Sequence, residues 1–190
     1  DGKKESVTTR MVFNTAGRVP AIDALDLKKG NVAFEKKGIK VNEYLQSPTN
    51  ASVYACGDVS ASGSLPLTPT SSQEARIVSK IIRNGNRTKM DFPPVPSVVF
   101  TFPQLASIGL TEVEAKAQGY TISVKSKSVP DWYNAKQINE DTYAFKTIID
   151  TERNLVLGAH IIAPHASEMI NLFVLSMCGK LQCKNIKAMI

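Results

Sequence analysis

Pro93, Pro94 and Pro96 fall within four consecutive positions and set the strongest constraint on what this chain can fold into. Each proline fixes φ and removes a backbone donor, so residues 89 to 97 cannot run inside a helix or a central strand. The segment reads as a stiff connector. A domain boundary is predicted there, with residues 1–90 on one side and 91–190 on the other. The chain of 190 residues fits two small domains, since domains commonly run to roughly 100–200 residues. Hydrophobic residues make up 43% and charged residues 21%, near the globular average, so a packed core is expected rather than a long disordered region.

The formal charge is +6, but the excess is spread through pairs such as Lys28-Lys29 and Lys36-Lys37. There is no run of four basic residues and no basic-aromatic interleaving, so nucleic acid is not an expected partner. No apolar run reaches the ~18 residues of a membrane span, and no membrane partner is expected. Three cysteines argue against a secreted disulfide framework and fit a reducing cytoplasm. The chain opens Asp1-Gly2-Lys3-Lys4 without Met and ends inside the apolar stretch Lys187-Ala188-Met189-Ile190. It reads as a piece of something longer.

In the first part, Val7 to Thr15 is predicted as a strand running into Ala16-Gly17-Arg18. Asn31 to Phe34 and Gly38 to Val41 flank Glu35-Lys36-Lys37, as a hairpin or a short excursion. Val53-Tyr54-Ala55-Cys56 reads as a short buried strand halted by Gly57-Asp58. From Thr68 the pattern turns helical. Thr68 is the predicted N-cap with Pro69 at the first helical position, and Ser71 with Glu74 offers a second capping-box register. Ala75, Val78, Ile81 and Ile82 form the predicted buried stripe, and Gly85 the stop.

The second part is predicted as α+β with a mostly antiparallel sheet and flanking helices. Strands are expected at Val98–Thr101, Ala106–Leu110, Tyr120–Lys125, Thr142–Ile149 and Leu155–Ile162, the last two joined by a hairpin at Asp150–Asn154. Thr111 and Glu114 make a capping box for a short helix that Gly119 ends. Pro164 opens a final helix whose Met169, Ile170, Leu172, Phe173, Val174, Leu175 and Met177 leave almost no polar side. Such a helix needs cover on more than one face, from its own sheet and from a second subunit.

Asp58 carries the candidate chemistry. A strand ending in a carboxylate, followed ten residues later by a helix start, places a hydroxyl acceptor beside an anion-favouring helix N-terminus. That pairing suits a polyol-linked cofactor that becomes anionic on reduction.

Asn14-Thr15-Ala16-Gly17-Arg18-Val19-Pro20, Val53-Tyr54-Ala55-Cys56-Gly57-Asp58-Val59 and Leu67-Thr68-Pro69 resemble the glutathione reductase-like pyridine nucleotide-disulfide oxidoreductases. Val95–Thr101, Ile108–Glu112, Leu157-Gly158-Ala159-His160 and Glu168-Met169-Ile170 resemble the dimerisation domain of the same family. The resemblance implies a partial α/β FAD-binding domain over 1–90 and a C-terminally incomplete dimerisation domain over 91–190. It implies FAD as cofactor, NAD(P)H as co-substrate, a homodimer, and a small-molecule or protein disulfide as substrate. Gly57, Asp58, Leu67, Thr68 and Pro69 become the implied flavin contacts. Lipoamide dehydrogenase, mercuric reductase and NAD(P)H oxidase are alternative branches, and a non-catalytic dimerisation module is the alternative from another class.

Several departures limit the chain itself. It has no GxGxxG, so the dinucleotide phosphate loops are absent, and the chain alone is expected to be inactive. Cys178 and Cys183 have the family's four-residue spacing but lie near the far end. On one continuous helix they would point about 140° apart, too divergent for a disulfide without a break at Gly179. They read as structural thiols, and Cys56 as a small buried hydrophobe. The family's catalytic base lies in a His-Pro-Thr motif, which neither His160 nor His165 matches. His165 with Glu168 suits a helix cap better than an acid-base dyad. No catalytic residue and no metal ligand is expected.

Overall fold

The computed structural model describes residues 4–85 and 89–189. Asp1–Lys3, residues 86–88 and Ile190 lie outside them. The chain divides into two compact units, 1–90 and 91–190.

The first unit holds one two-residue-turn hairpin and one long helix. Strands β1 (Phe34–Glu35) and β2 (Gly38–Ile39) pair antiparallel about Lys36-Lys37. Gly38 has φ +131°, and a Cβ there would lie 2.3 Å from the Val59 carbonyl oxygen. The hairpin can therefore close onto the Gly57–Val59 turn only with glycine at this position. Ala61 N–H donates to the Ile39 carbonyl at 2.8 Å and completes the junction. Ile22, Val32, Ile39 and Ala55 form the buried centre, with Leu27, Val41, Val53 and Val59 against it. Along Val53–Cys56, Tyr54 bridges to Gln46, Ala55 N–H donates to Leu45 O at 3.0 Å and Val53 O accepts from Ser47 N–H at 2.8 Å.

Helix α1 (Thr68–Asn84) differs from expectation at its start and on its face. Leu67, with extended backbone, is the N-cap, so Thr68 and Pro69 are both inside the first turn. Leu67 has no capping oxygen, and none is supplied by a side chain. The buried stripe is Thr70, Glu74, Ile77 and Ile81, whereas Ala75 is exposed and Ile82 is 64% exposed. Gly85, at φ +72°, ends the helix as predicted.

Val7–Thr15 is not a strand. The segment forms no regular structure and has no strand partner among the described residues, and Val7, Met11, Val12 and Phe13 are all exposed. A strand is stable only when its backbone groups find a neighbouring strand.

The second unit is an antiparallel sheet with helices against it. Strands β3 (Ser97–Val99), β4 (Gln104–Gly109), β5 (Ile122–Ser128), β6 (Ala144–Asp150) and β7 (Leu155–Ala163) stand in the order β3-β4-β7-β6-β5. Every adjacent pair is antiparallel. At the β4–β7 pairing Gly109 faces Gly158, and a Cβ on Gly158 would sit 2.0 Å from the Leu110 carbonyl oxygen. Helix α2 (Glu112–Ala117) has the predicted capping box in full. Helices α3 (Tyr133–Gln137) and α5 (Cys183–Lys187) follow no motif singled out in the sequence.

Helix α4 (Ala166–Cys178) packs on β4 and β7 through Ala166 and Ile170, and these join Ala106, Ile108, Ala159 and Ile161 in the core. Leu172 and Leu175 remain 69% and 66% exposed on its outer side. His165 occupies the N-cap position in the left-handed region but makes no side-chain cap. The cap comes from β4, where Gln104 Oε1 accepts from Ser167 N–H at 3.1 Å. Trp132 packs on Phe145 with ring centroids 5.7 Å apart, and Tyr133 is exposed.

Candidate functional site

A cleft of about 810 Å³ opens in the first unit between the hairpin turn, the loop 57–66 and the start of α1. Gly57 and Asp58 line it; Leu67, Thr68 and Pro69 do not, although Leu65, Pro66, Thr70 and Ser71 on either side of them do. The five sequence-predicted site residues therefore divide. Two are on the wall, and three form the helix start just behind it.

Gly57–Val59 is a single tight helical turn at the end of the Val53–Cys56 run, of which Ala55 is buried and the other three residues, Cys56 included, are only half-buried. Gly57 takes φ +73°, and a Cβ there would come 3.2 Å from Ser71 Oγ. The turn thus lies directly on the first turn of α1. Ser71 Oγ donates to Asp58 Oδ1 at 3.4 Å, and Arg18 forms an ion pair with the other oxygen, Oδ2. The Asp58 side chain is 33% exposed, so it faces the cleft and water rather than hydrocarbon. Its remaining lone pairs can accept further hydrogen bonds.

Glu74 is the residue that the sequence hides. It is 1% exposed, and its carboxylate accepts from Gly57 N–H at 2.5 Å and from the Ser62 hydroxyl at 2.7 Å. One helix side chain thereby ties down both ends of the loop that carries Asp58. The i+3 spacing from Ser71 suggests a capping box, yet Ser71 and Glu74 both turn toward this loop instead. A carboxylate four residues from the Thr70 position and three from Ile77, on the buried stripe, is the one signal that could have exposed it.

Two further features shape the wall. The α1 N–H groups of Thr68 and Thr70 lie in the first turn, where helix geometry leaves them without an intrahelical acceptor. Thr70 Oγ1 and Ser60 Oγ are buried and have no hydrogen-bond partner among the described residues. Cys56, just before the turn, has its thiol pushed up by burial and then by the Glu74 charge, which holds it in the protonated, unreactive form.

Gly179 ends α4 and a turn separates it from α5, so Cys178 and Cys183 do not share one continuous helix; Cys178 is an exposed free thiol and Cys183 a buried one. Burial raises the Cys183 thiol. His160 lies on β7 with Nε2 3.3 Å from the Leu110 carbonyl oxygen. Among the described residues no three His, Cys, Asp or Glu side chains are grouped to hold a metal. Nor is any helix among them long and apolar enough to cross a membrane.

Comparison with known proteins gives the same picture across the chain. Residues 1–75 match the pyridine nucleotide-disulphide oxidoreductase model, and residues 95–190 match the model of the dimerisation domain of pyridine nucleotide-disulphide oxidoreductases. An uncharacterized 19.7 kDa protein in a mercuric resistance operon of Staphylococcus aureus is 44% identical over 166 residues, covering 87% of this chain and 92% of that protein. Mitochondrial dihydrolipoyl dehydrogenase 2 of Arabidopsis thaliana is 34% identical over 178 residues, 93% of this chain but 34% of the enzyme. The Cu(II) complex of a cysteine-to-serine mutant of RclA, a HOCl-induced flavoprotein disulfide reductase from Escherichia coli, superposes with a TM-score of 0.76 at 29% identity. That likeness covers 88% of this chain and 38% of RclA. The chain thus spans nearly all of the short relative and about a third of the enzymes. With both family models matched in order and the antiparallel sheet in place, the chain belongs to the pyridine nucleotide-disulphide oxidoreductase family.

Proposed function

We propose that the chain forms the flavin floor and the dimer contact of an FAD-dependent NAD(P)H:disulfide oxidoreductase. The observation that carries this reading is Asp58, held by Ser71 and by the Glu74-braced loop on the same cleft as the first turn of α1. Residues 1–90 are the FAD-binding part and residues 91–190 the dimerisation part.

The cleft fits the ribityl and pyrimidine end of FAD. Asp58 accepts from ribityl hydroxyls, each such bond to a charged group contributing about 1.5–3 kcal/mol. To do so it shares its carboxylate with Arg18, which is 75% exposed and free to swing away. The N–H groups of Thr68 and Thr70 favour negative charge on the facing ligand edge, a helix-terminus effect of about 0.3–2 kcal/mol. Leu67 and Pro69 fix the entry angle of that turn. When bound, FAD supplies the hydride acceptor between nicotinamide and disulfide. The chain's own residues bind and orient that group and contribute no nucleophile.

Because no GxGxxG loop is present in the sequence, the chain by itself is expected to retain no stoichiometric FAD and to show no NAD(P)H turnover. In an assembled enzyme carrying these residues, Asp58→Ala is expected to lower flavin content per chain while leaving the fold intact by circular dichroism. Full flavin occupancy in that variant would remove the assignment of Asp58. Activity with glutathione disulfide, lipoamide and Hg(II), each with NADH and NADPH, separates the branches. The dimer half of the reading rests on the exposed Leu172 and Leu175 of α4, and a cytoplasmic location accompanies it.

A second reading is favoured by one observation. The 19.7 kDa relative consists almost wholly of the matched region, as a free-standing non-catalytic dimerisation module would. Sedimentation of the chain with Leu172→Lys and Leu175→Lys, together with a flavin titration, distinguishes the two. The lysines are expected to dissociate the dimer in either case; weak, non-stoichiometric flavin affinity that Asp58→Ala abolishes supports the enzyme part, and none at any flavin concentration supports the module.

A further inference from the structure

Helix α1 loses its packing one turn before it ends. Ile81, 1% exposed, is its last buried residue, and Ile82, Arg83, Asn84 and Gly85 after it are all exposed. Asn84 is the final helical residue, and its carboxamide makes no hydrogen bond among the described residues. Gly85, in the left-handed region at φ +72°, donates its N–H to no backbone acceptor among them, and a Cβ there would meet nothing within 4 Å. Asn84-Gly85 is also the one Asn-Gly step in the sequence.

The side-chain carbonyl carbon of an asparagine can close a five-membered ring with the backbone nitrogen of the next residue. Inside a helix that nitrogen is bonded to the carbonyl four residues back, which holds the ring open. At the end of α1 the amide is released, glycine has no side chain to obstruct the approach, and no tertiary packing keeps the last turn helical. We infer that Asn84 is a site of spontaneous deamidation. Gly85 N gives up its proton to hydroxide and attacks Asn84 Cγ; the Cγ–Nδ2 bond breaks, and ammonia leaves with a proton taken from water. Water then opens the succinimide at one carbonyl or the other, leaving aspartate or isoaspartate at position 84, with nothing oxidised or reduced. The new carboxylate stands at the negative end of the α1 dipole and weakens the last turn, and isoaspartate adds a methylene to the backbone where the chain leaves the helix. Asn42 and Asn50 offer a contrast: the Asn42 side chain accepts from Tyr44 and Gln46 N–H, that of Asn50 donates to the Gly30 carbonyl, and neither residue precedes glycine.

The full chain and a synthetic peptide of residues 80–89 are incubated side by side at neutral and alkaline pH. Conversion is followed by isoelectric focusing, by peptide mapping with mass spectrometry, and by enzymatic methylation of isoaspartate. The fragment containing residue 84 is expected to convert ahead of every other asparagine-containing fragment, faster as hydroxide rises, with isoaspartate among the products. Opening a frayed helix end costs little, so the rate in the folded chain is expected to lie within about tenfold of the rate in the peptide. Gly85→Ala is expected to slow the reaction on the order of tenfold, because a Cβ beside the attacking nitrogen restricts the backbone conformations that reach Cγ. Asn84→Gln keeps the carboxamide but would need a six-membered ring, and is expected to abolish the conversion with the circular dichroism spectrum unaltered. In Asn84→Asp, amide exchange at residues 82–84 is expected to quicken while that at Ile77 stays level. An Asn84 that remains intact in the folded chain after the peptide has converted overturns the inference, as does earlier conversion at any other asparagine.

Discussion

Replacing Glu74 tests whether the Asp58 loop is held from beneath. Its carboxylate is 1% exposed and accepts two hydrogen bonds, from Gly57 N–H at 2.5 Å and Ser62 Oγ at 2.7 Å. Glu74→Ala deletes both acceptors. A buried donor left unsatisfied costs about 1–3 kcal/mol, but Gly57 and Ser62 are only half-buried and Ser62 can turn to water. The net loss for the first unit is therefore about 2–4 kcal/mol. Glu74→Gln keeps one acceptor and turns an NH₂ toward a donor, so about half of that loss is expected. Trp132, the sole tryptophan, lies in the second unit and cannot report the effect. Hydrogen exchange at Gly57 and the pH dependence of Cys56 alkylation can. Burial and the Glu74 charge both raise the Cys56 thiol, so removing the charge should lower its apparent value and leave the burial contribution. Unchanged Gly57 exchange together with unchanged Cys56 titration in Glu74→Ala would refute the brace.

Three other perturbations bear on the second unit, each read from urea unfolding followed at Trp132. Thr111→Ala removes the hydroxyl that caps Glu114 N–H at 3.3 Å and bonds its carboxylate at 2.7 Å; a loss of about 0.5–2 kcal/mol is expected, and none would show that α2 is irrelevant to the sheet. Gly158→Ala drives a Cβ to 2.0 Å from the Leu110 carbonyl oxygen, a backbone atom that cannot step aside, so a loss of about 1–3 kcal/mol or more is expected. The third perturbation is pH. Hydrogen bonds from Lys116 and Lys146 lower the Glu112 carboxyl, and the Thr111 N–H and hydroxyl lower that of Glu114. Folded values below the unfolded ones mean that this stabilisation is complete above the ordinary carboxylate range and drains away as pH falls through the lowered values. The urea midpoint should therefore drop between about pH 5 and pH 3, and Glu112→Gln with Glu114→Gln should flatten that slope. A slope untouched by both substitutions would assign the acid sensitivity to other groups.

What the sequence made legible follows from how far apart the interacting groups stand. The Thr111–Glu114 capping box closes over three residues and was readable directly. The β6–β7 hairpin was readable because its strands alternate and its turn lies between them. Val7–Thr15 has the composition of a strand, yet a strand's backbone is satisfied only by a neighbour, and none is present among the described residues. The face of α1 was read correctly at Ile81 but missed Thr70, Glu74 and Ile77, for a related reason. Hydropathy selected Ala75, Val78, Ile81 and Ile82, whereas the helix buries Thr70 and Glu74 toward the loop 57–62. A carboxylate on the inner stripe looks like an error in an amphipathic pattern until the Gly57 N–H, seventeen residues upstream, is set beside it. The local motif Gly57-Asp58 was visible because its chemistry sits in two adjacent residues. What holds it in position was not, because a buried acceptor is specified by the donor it faces, and that donor is a backbone group with no signature in the sequence.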